Sequence, residues 1–489
     1  MIKSISLSLF YFLLILFVVS SCTIDDEIST DPSYKLGFST DTIMFDTVFT
    51  TVGSTTRFLK VYNRNDNKIN ITKIGLAGGN NSQFELNING EPQSSVSNIE
   101  LLKGDSLFIF IKVTVDPTNQ NTPMVLTDSI VFSTNGNIQD VDLVAWGQDA
   151  YYYVGNKHID SLNYPYSIVA GENENIFWED DKPHVVYGWA VVDSAGILNI
   201  GPGTDIHFHQ NSGLWVYRGG NIQVNGEKDS LVVFQGDRLE QEYQDLPGQW
   251  DRIWINEGSV DNVFNYAVIK NGFIGIQAET LDSYLGNKLI IKNTVVKNMT
   301  AFGLFSFAYG VTSVNSVYAN CAAHAFLGVG GVFDFRHCTF ANYWSGSIRQ
   351  VQSFVLANTY EFGSGFIIQS NLADAFFGNC IVYGNLDDEF YFSKTDDLDF
   401  IFKFQNCNLK TEMDISNTDL FVDCQKNTDP LFVDYTIDNY RIDTLSPVID
   451  AGNMEVVNQS QIDIANDLDG NSRISDNGPD LGAYEFVPE

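Results

Sequence analysis

Asn293-Thr294-Val295-Val296, Asn315-Ser316-Val317-Tyr318, His337-Cys338-Thr339-Phe340, Asn379-Cys380-Ile381-Val382 and Asn406-Cys407-Asn408-Leu409 are five versions of one short phrase. In each, a small residue is followed two positions later by an apolar one, and Ala267/Ile269 repeats the pairing. Thr359, preceded by Asn358, fills the place between Cys338 and Cys380, and the steps are then 27, 22, 22, 21, 21 and 27 residues. A step of about 22 residues fits one coil of a right-handed parallel β-helix with three short strands per turn. Stacked coils set equivalent residues about 4.8 Å apart, so the small residues should form an inner column. Cys338, Cys380 and Cys407 share that column and read as rungs of a core stack, not as ligands. The Asn before each rung, replaced at Tyr266 and His337, is expected at a tight turn, bonding to the coils above and below. A leucine-rich solenoid would need a dense leucine pattern, and helical repeats a 3.6-residue period; neither is present. The fold class is all-β, with a β-helix over 190–440.

The flanks of this repeat carry a resemblance. Gly196 to Phe208, then Leu214-Trp215-Val216-Tyr217-Arg218-Gly219-Gly220 and Trp250-Asp251-Arg252-Ile253-Trp254-Ile255, resemble the first coils of secreted β-helix proteins. Leu445 to Asn453, Asp467 to Arg473 and Asp480 to Phe486 resemble in order the end of pectate-lyase-like β-helix proteins with a "choice-of-anchor Q" tail. That resemblance implies fold and surface location more firmly than activity. Physically, the tail 441–489 should cap the open end of the helix and hide its last strand edges.

Ahead of a junction at 151–189, the stretch 34–150 alternates strand-like runs with turn clusters. Leu107-Phe108-Ile109-Phe110-Ile111-Lys112-Val113 has period two, and Asn63-Arg64-Asn65-Asp66-Asn67 is a strong turn signal. The pattern suits a β-sandwich. With its Phe-Asp-Thr-Val-Phe stretch at Phe45 to Phe49, it resembles the immunoglobulin-like (Ig-like) modules of bacterial surface proteins, which implies a spacer or adhesive role.

The address lies at the start. Lys3 precedes the apolar run Ile5 to Val19, which is short for a membrane span and suits a signal peptide over 1–22. Val19-Ser20-Ser21-Cys22 resembles the bacterial lipobox, which implies that Cys22 is acylated and held in outer-membrane lipid. In the tether 23–33, Asp25-Asp26-Glu27 resembles the surface-export signal of Bacteroidota lipoproteins; a periplasmic location is the alternative. The remaining five cysteines are odd in number and show no Cys-x-x-Cys spacing, so neither a disulfide framework nor a zinc site is expected.

The chain has 489 residues and a formal charge of −34, which excludes nucleic acid as a partner. Among candidate sites, Asp334, Arg336 and His337, with Lys270 and Lys297 on nearby coils, are the mixed cluster a polysaccharide lyase or hydrolase would need. The competing reading is a His that replaces Asn in the turn ladder, flanked by surface charges. His207 and His209 alternate on one strand but lack an evident third metal ligand. Asp467, Asp469 and Asn471 have part of the spacing of a calcium loop, and calcium is the one cofactor the sequence brings forward; a turn closed by pairing with Arg473 competes with it. Tyr151, Tyr152, Tyr153, Trp178 and Trp189 offer stacking surfaces for sugars, or core packing. Asp46-Thr47-Val48 and Asp229-Ser230-Leu231 resemble Bacteroidota O-glycosylation acceptors, or turn residues entering strands. No Walker loop, nucleophile elbow, His-Glu-x-x-His or dinucleotide fingerprint is present. The reading is therefore a surface lipoprotein presenting a non-catalytic β-helix that binds glycan or another extracellular partner. Its rivals are a calcium-assisted enzyme acting on an acidic polysaccharide and a purely structural surface component.

Overall fold

A computed structural model describes residues 27–50, 53–116, 124–158, 164–281, 288–363, 365–475 and 477–488. Cys22 and the signal-peptide stretch lie outside the described residues. The chain forms two compact units that divide after Gln148.

The N-terminal unit has two sheets around one core. One runs in the order Gly37–Phe38, Arg57–Tyr62, Ser106–Val113, Phe84–Ile88 and Glu91–Pro92. The other runs Thr42–Phe49, Asn137–Gln148, Met124–Thr134, Ile69–Leu76 and Ser95–Val96. Strand alternation buries Leu59, Val61, Ile109 and Ile111 from the first against Ile71, Phe132 and Leu143 from the second. Each such side chain contributes about 1.5–3 kcal/mol of burial. Asn63 shapes the adjoining turn by donating from Nδ2 to the carbonyls of Leu101 and Leu102, both at 3.0 Å.

The second unit is a stack of coils. Each coil places one strand in each of three parallel sheets, so strands pair with the third strand onward, as in a β-helix. In the first sheet the register Val268, Val295, Val317, Thr339, Ile381 passes through five successive coils. Coils begin earlier than expected. Tyr151–Val154 already pairs in parallel with His184–Tyr187, so the stretch read as a junction, 151–189, supplies coil strands. Its corners lack the Asn-small pair that marks later coils, and aromatic stacking of Tyr153, Trp178 and His184 fills the end instead.

The small-residue column is present, with one correction. Thr294, Ser316, Cys338, Cys380 and Cys407 are fully buried rungs, and the pairing of Asn408 with Gln425 adds Cys424. Thr359 is not a rung. Thr339 pairs directly with Ile381, so Cys338 and Cys380 sit on adjacent coils, 42 residues apart in sequence. The coil between them carries two insertions: a loop after Asn342, and a hairpin of Thr359–Glu361 with Ile367–Gln369. Asn358-Thr359 imitates the corner phrase because Asn358 makes a different turn, donating to the carbonyls of Thr395 and Leu398, both at 2.9 Å. Inside, Phe335, Phe377, Phe404 and Phe421 stack in register, with Phe377 and Phe404 4.8 Å apart at 14°.

The corner residues explain their own identity. Tyr266, Asn293, Asn315, His337, Asn379, Asn406 and Asp423 all have φ between 47° and 53°. This left-handed region admits Asn and Asp most readily among residues with a side chain. The expected ladder forms on top of that requirement: Asn315 Nδ2 donates to Asn293 Oδ1 at 3.2 Å, and Asn379 Nδ2 lies 2.9 Å from His337 Nε2.

The tail 441–489 does not cap the end of the stack. It folds back along the flank of the middle coils as a strap. Leu468, Ala483 and Tyr484 cover Val317, Ala319 and Ala341 on the outer face of the first sheet. Ile442, Val448 and Leu481 cover Ile381 and Tyr383. The reason is the apolar outer face of these coils, which would otherwise meet water. Met413, Ile415 and Leu420, from the stretch before the last coil, pack against the interior core.

Candidate functional site

The candidate cluster of Asp334, Arg336 and His337 fastens the strap through Arg336. Asp334 and Arg336 lie on the third sheet, whereas Lys270 and Lys297 pair on the first, so the two groups do not converge. Arg336 is closed on all sides: Nε donates to Asp334 Oδ1 at 2.8 Å, Nη1 to the Val456 carbonyl at 2.7 Å, and its guanidinium covers the Phe376 ring. His337 is fully buried, and that burial holds its imidazole well below the ordinary range. It occupies an Asn place in the ladder, as the competing reading had it.

Asp467 and Asp469 of the strap are engaged by N–H groups of the protein. Asp467 accepts from Asn471 N at 2.6 Å and from Glu485 N at 2.7 Å. Asp469 takes Arg441 in a two-pronged pair at 2.6 and 2.9 Å. Asn471 donates its amide to Asp467. Arg473 pairs with Glu485, not with the Asp467 turn, and also reaches Asn315 Oδ1 at 2.9 Å. Burial pushes the Glu485 carboxyl up to about 7 and pulls the Arg473 guanidinium down. His207 and His209 also separate: His207 Nδ1 meets the Gly236 carbonyl at 3.1 Å, and His209 Nδ1 meets Asp237 at 2.7 Å. Among the described residues, no three His, Cys, Asp or Glu side chains converge for a metal ion.

A cavity of about 880 Å³ lies at the strap beside Arg441, Asp469, Asn471 and Glu485, and two more, of about 500 and 640 Å³, adjoin through Tyr343, Trp344, Ser345 and Tyr435. One wall is the first insertion of the long coil, which carries Tyr343 and Trp344. Buried Arg349 holds this loop, bonding to Glu389 and to Asn385 Oδ1 at 2.6 Å and the Asn342 carbonyl at 3.1 Å. Packed against it is the tip of the hairpin Phe432–Asp434 with Asn439–Ile442. Asp434 accepts from Thr436 N at 3.0 Å, and left-handed Asp438 turns the chain back. Tyr435 thereby stacks on Tyr343 at 4.2 Å and 15°, leaving about half of its own surface exposed (47%).

Polar groups line both ends of this groove. Asp438 holds Lys297 Nζ at 2.6 Å and accepts from Asn320 Nδ2. Asn298 and Asp245 complete that end. At the other end Lys410 donates to the Gly384 carbonyl at 2.7 Å and lies over Tyr383, beside Asn385 and Asp429. Of the groove's rings, Trp344 and Tyr383 are buried and Tyr435 is exposed; an exposed ring can stack on a sugar face while amides, carboxylates and ammonium groups bond to hydroxyls. Sequence reasoning missed this site. The available signal was Tyr343-Trp344, directly beyond a strand and inside the one interval of double length. Of the aromatic residues it did single out, Trp189 is buried against Trp215 and Trp254, whereas Tyr151 is exposed and lines a cavity of about 470 Å³ with Tyr153 and Trp178.

No family model and no curated protein matches the chain. Among solved structures, the chain is similar to the ASH / PapD-like domain 7 of human CEP192, with 12% identity and a TM-score of 0.17, over 27% of this chain and 96% of that one. It is also similar to a family 123 glycoside hydrolase from Clostridium perfringens, with 9% identity and a TM-score of 0.19, over 30% of each chain. Likenesses of this size carry no argument about function, so the groove is read from its own chemistry.

Proposed function

We propose that this protein is a cell-surface lipoprotein, anchored through Cys22, whose right-handed parallel β-helix binds glycan without turning it over. The N-terminal unit is an Ig-like module that serves as a spacer. The observation that carries the binding reading is the exposed Tyr435 ring, stacked on Tyr343 where two cavities adjoin, with amides and carboxylates flanking each end. Against the enzyme reading stand the closure of Arg336 by Asp334 and Val456 and the burial of His337. Lys297 and Lys410 are each already held by a partner at the groove.

The test uses the chain from Thr23 onward with a panel of acidic and neutral polysaccharides, followed by calorimetry and by assays for unsaturated and reducing ends. Binding without new chain ends is expected. Tyr435→Ala should weaken it by up to about tenfold, the scale of one aromatic contact. Product formation would replace this reading with a carbohydrate-active enzyme. Failure of Tyr435→Ala to change affinity would remove the groove as the site.

A further inference from the structure

The N-terminal unit presents a surface that a spacer has no need of. Along Arg57–Tyr62 and Ser106–Val113, alternation sends Leu59, Val61, Leu107, Ile109, Ile111 and Val113 into the core. The same alternation sends Phe58, Lys60, Tyr62, Phe108, Phe110 and Lys112 outward. Phe58, Phe108 and Phe110 are 58%, 43% and 43% exposed. They are neighbours, not scattered residues: Phe58 pairs across the strands with Phe110 and Lys60 with Phe108, and the Phe58 and Phe108 rings are 5.9 Å apart. Single exposed apolar residues are ordinary, whereas a contiguous aromatic patch on one sheet face marks an interaction site.

The charge on this face specifies the partner. Lys60 Nζ lies 5.2 Å from the centre of the Tyr62 ring and 5.0 Å from that of Phe108, and the Arg64 guanidinium lies 4.9 Å above Tyr62. Lys112 adds a third cation, facing Glu85 on the neighbouring strand. Lys60, Arg64 and Lys112 outnumber Glu85 on this face, on a chain whose formal charge is −34. An anionic partner is repelled by the rest of the molecule and accepted here, which orients it. Flat rings held between cations suit the faces of sugar rings that carry carboxylate or sulfate groups. We infer that this outer face of the N-terminal unit, built on Phe58, Lys60, Tyr62, Phe108 and Phe110, binds an anionic polysaccharide.

This surface is separate from the groove of the β-helix, and its test leaves that groove intact. The chain from Thr23 onward is titrated with dextran sulfate, polygalacturonate and neutral dextran at low and high salt. It is compared with Lys60→Gln/Lys112→Gln and with Phe58→Thr/Phe108→Thr. All four positions face outward, and unchanged melting of the variants establishes that they fold. The expected result is polyanion binding that weakens with salt, is lost by about tenfold or more in each double variant, and has no counterpart with neutral dextran. Equal polyanion binding by wild type and both variants would overturn the inference. So would a loss of neutral-dextran binding in both double variants as large as their loss of polyanion binding.

Discussion

Asn379 is the residue at which the coil repeat and the strap meet, and its replacement separates two kinds of stabilisation. It is fully buried, with φ at 53°. Its Nδ2 donates to the Asn453 carbonyl at 3.0 Å and meets His337 Nε2 at 2.9 Å, while its Oδ1 accepts from Asn453 N at 2.9 Å. In Asn379→Ala the left-handed backbone costs about 1 kcal/mol. Loss of three side-chain hydrogen bonds, each with a net value of about 0.5–1.5 kcal/mol, adds about 1.5–4.5 kcal/mol. The expected loss is therefore about 2.5–5.5 kcal/mol. Asn379→Gly loses the same bonds but not the backbone ease, and glycine's greater freedom when unfolded returns part of that advantage. Gly should thus exceed Ala in stability by about 0.5–1 kcal/mol. Urea unfolding measures both differences, and hydrogen exchange at Asn453 to Val456 reports whether the strap loosens first. If both variants unfold like wild type, the strap is not fastened here. If Ala equals Gly, the left-handed corner is not what selects Asn.

Arg473→Met alone should cost about 3–5 kcal/mol by leaving Glu485 buried without its partner, whereas adding Glu485→Gln should recover most of it; a double variant no better than the single one would refute the pairing argument. His184 and His324 are held by burial at about 4 instead of the ordinary 6.5. The unfolded chain binds protons first, so stability should fall as pH drops from 6.5 to 4, by up to about 3 kcal/mol per histidine. Glu485, raised to about 7, acts in the opposite sense and gains stability as pH falls from 7 toward its ordinary value. His324→Gln should flatten the acid limb of a melting-temperature profile, and an unchanged limb would contradict the assignment. Because Asp467 and Asp469 are already bonded to Asn471, Glu485 and Arg441, calcium and chelator should give the same melting temperature.

Much of the second unit is legible because a coil is a local object repeated. The corner needs a left-handed residue and the rung beside it needs a small one, so Asn315-Ser316 and Asn379-Cys380 announce themselves without knowledge of any neighbour. In the first unit, the period-two pattern of Leu107 to Val113 likewise sorts residues to inside and outside. The same locality misleads at Asn358-Thr359, where the phrase occurs at the right interval but the chain is in an insertion.

The sequence by itself determined the all-β class, the coil repeat, the identity of its corner residues and the stacked burial of Cys338, Cys380 and Cys407. Tertiary structure alone decided that the tail lies along the flank and not across the end. It also decided that Arg336 and His337 serve that strap, and that Tyr435 stacks on Tyr343 where two cavities adjoin. Rungs and corners are set by residues one coil apart, whereas Arg473 meets Asn315 across 158 positions of sequence. Contacts of that separation leave no period to read, because they depend on which outer face of the stack remains apolar once the coils have formed.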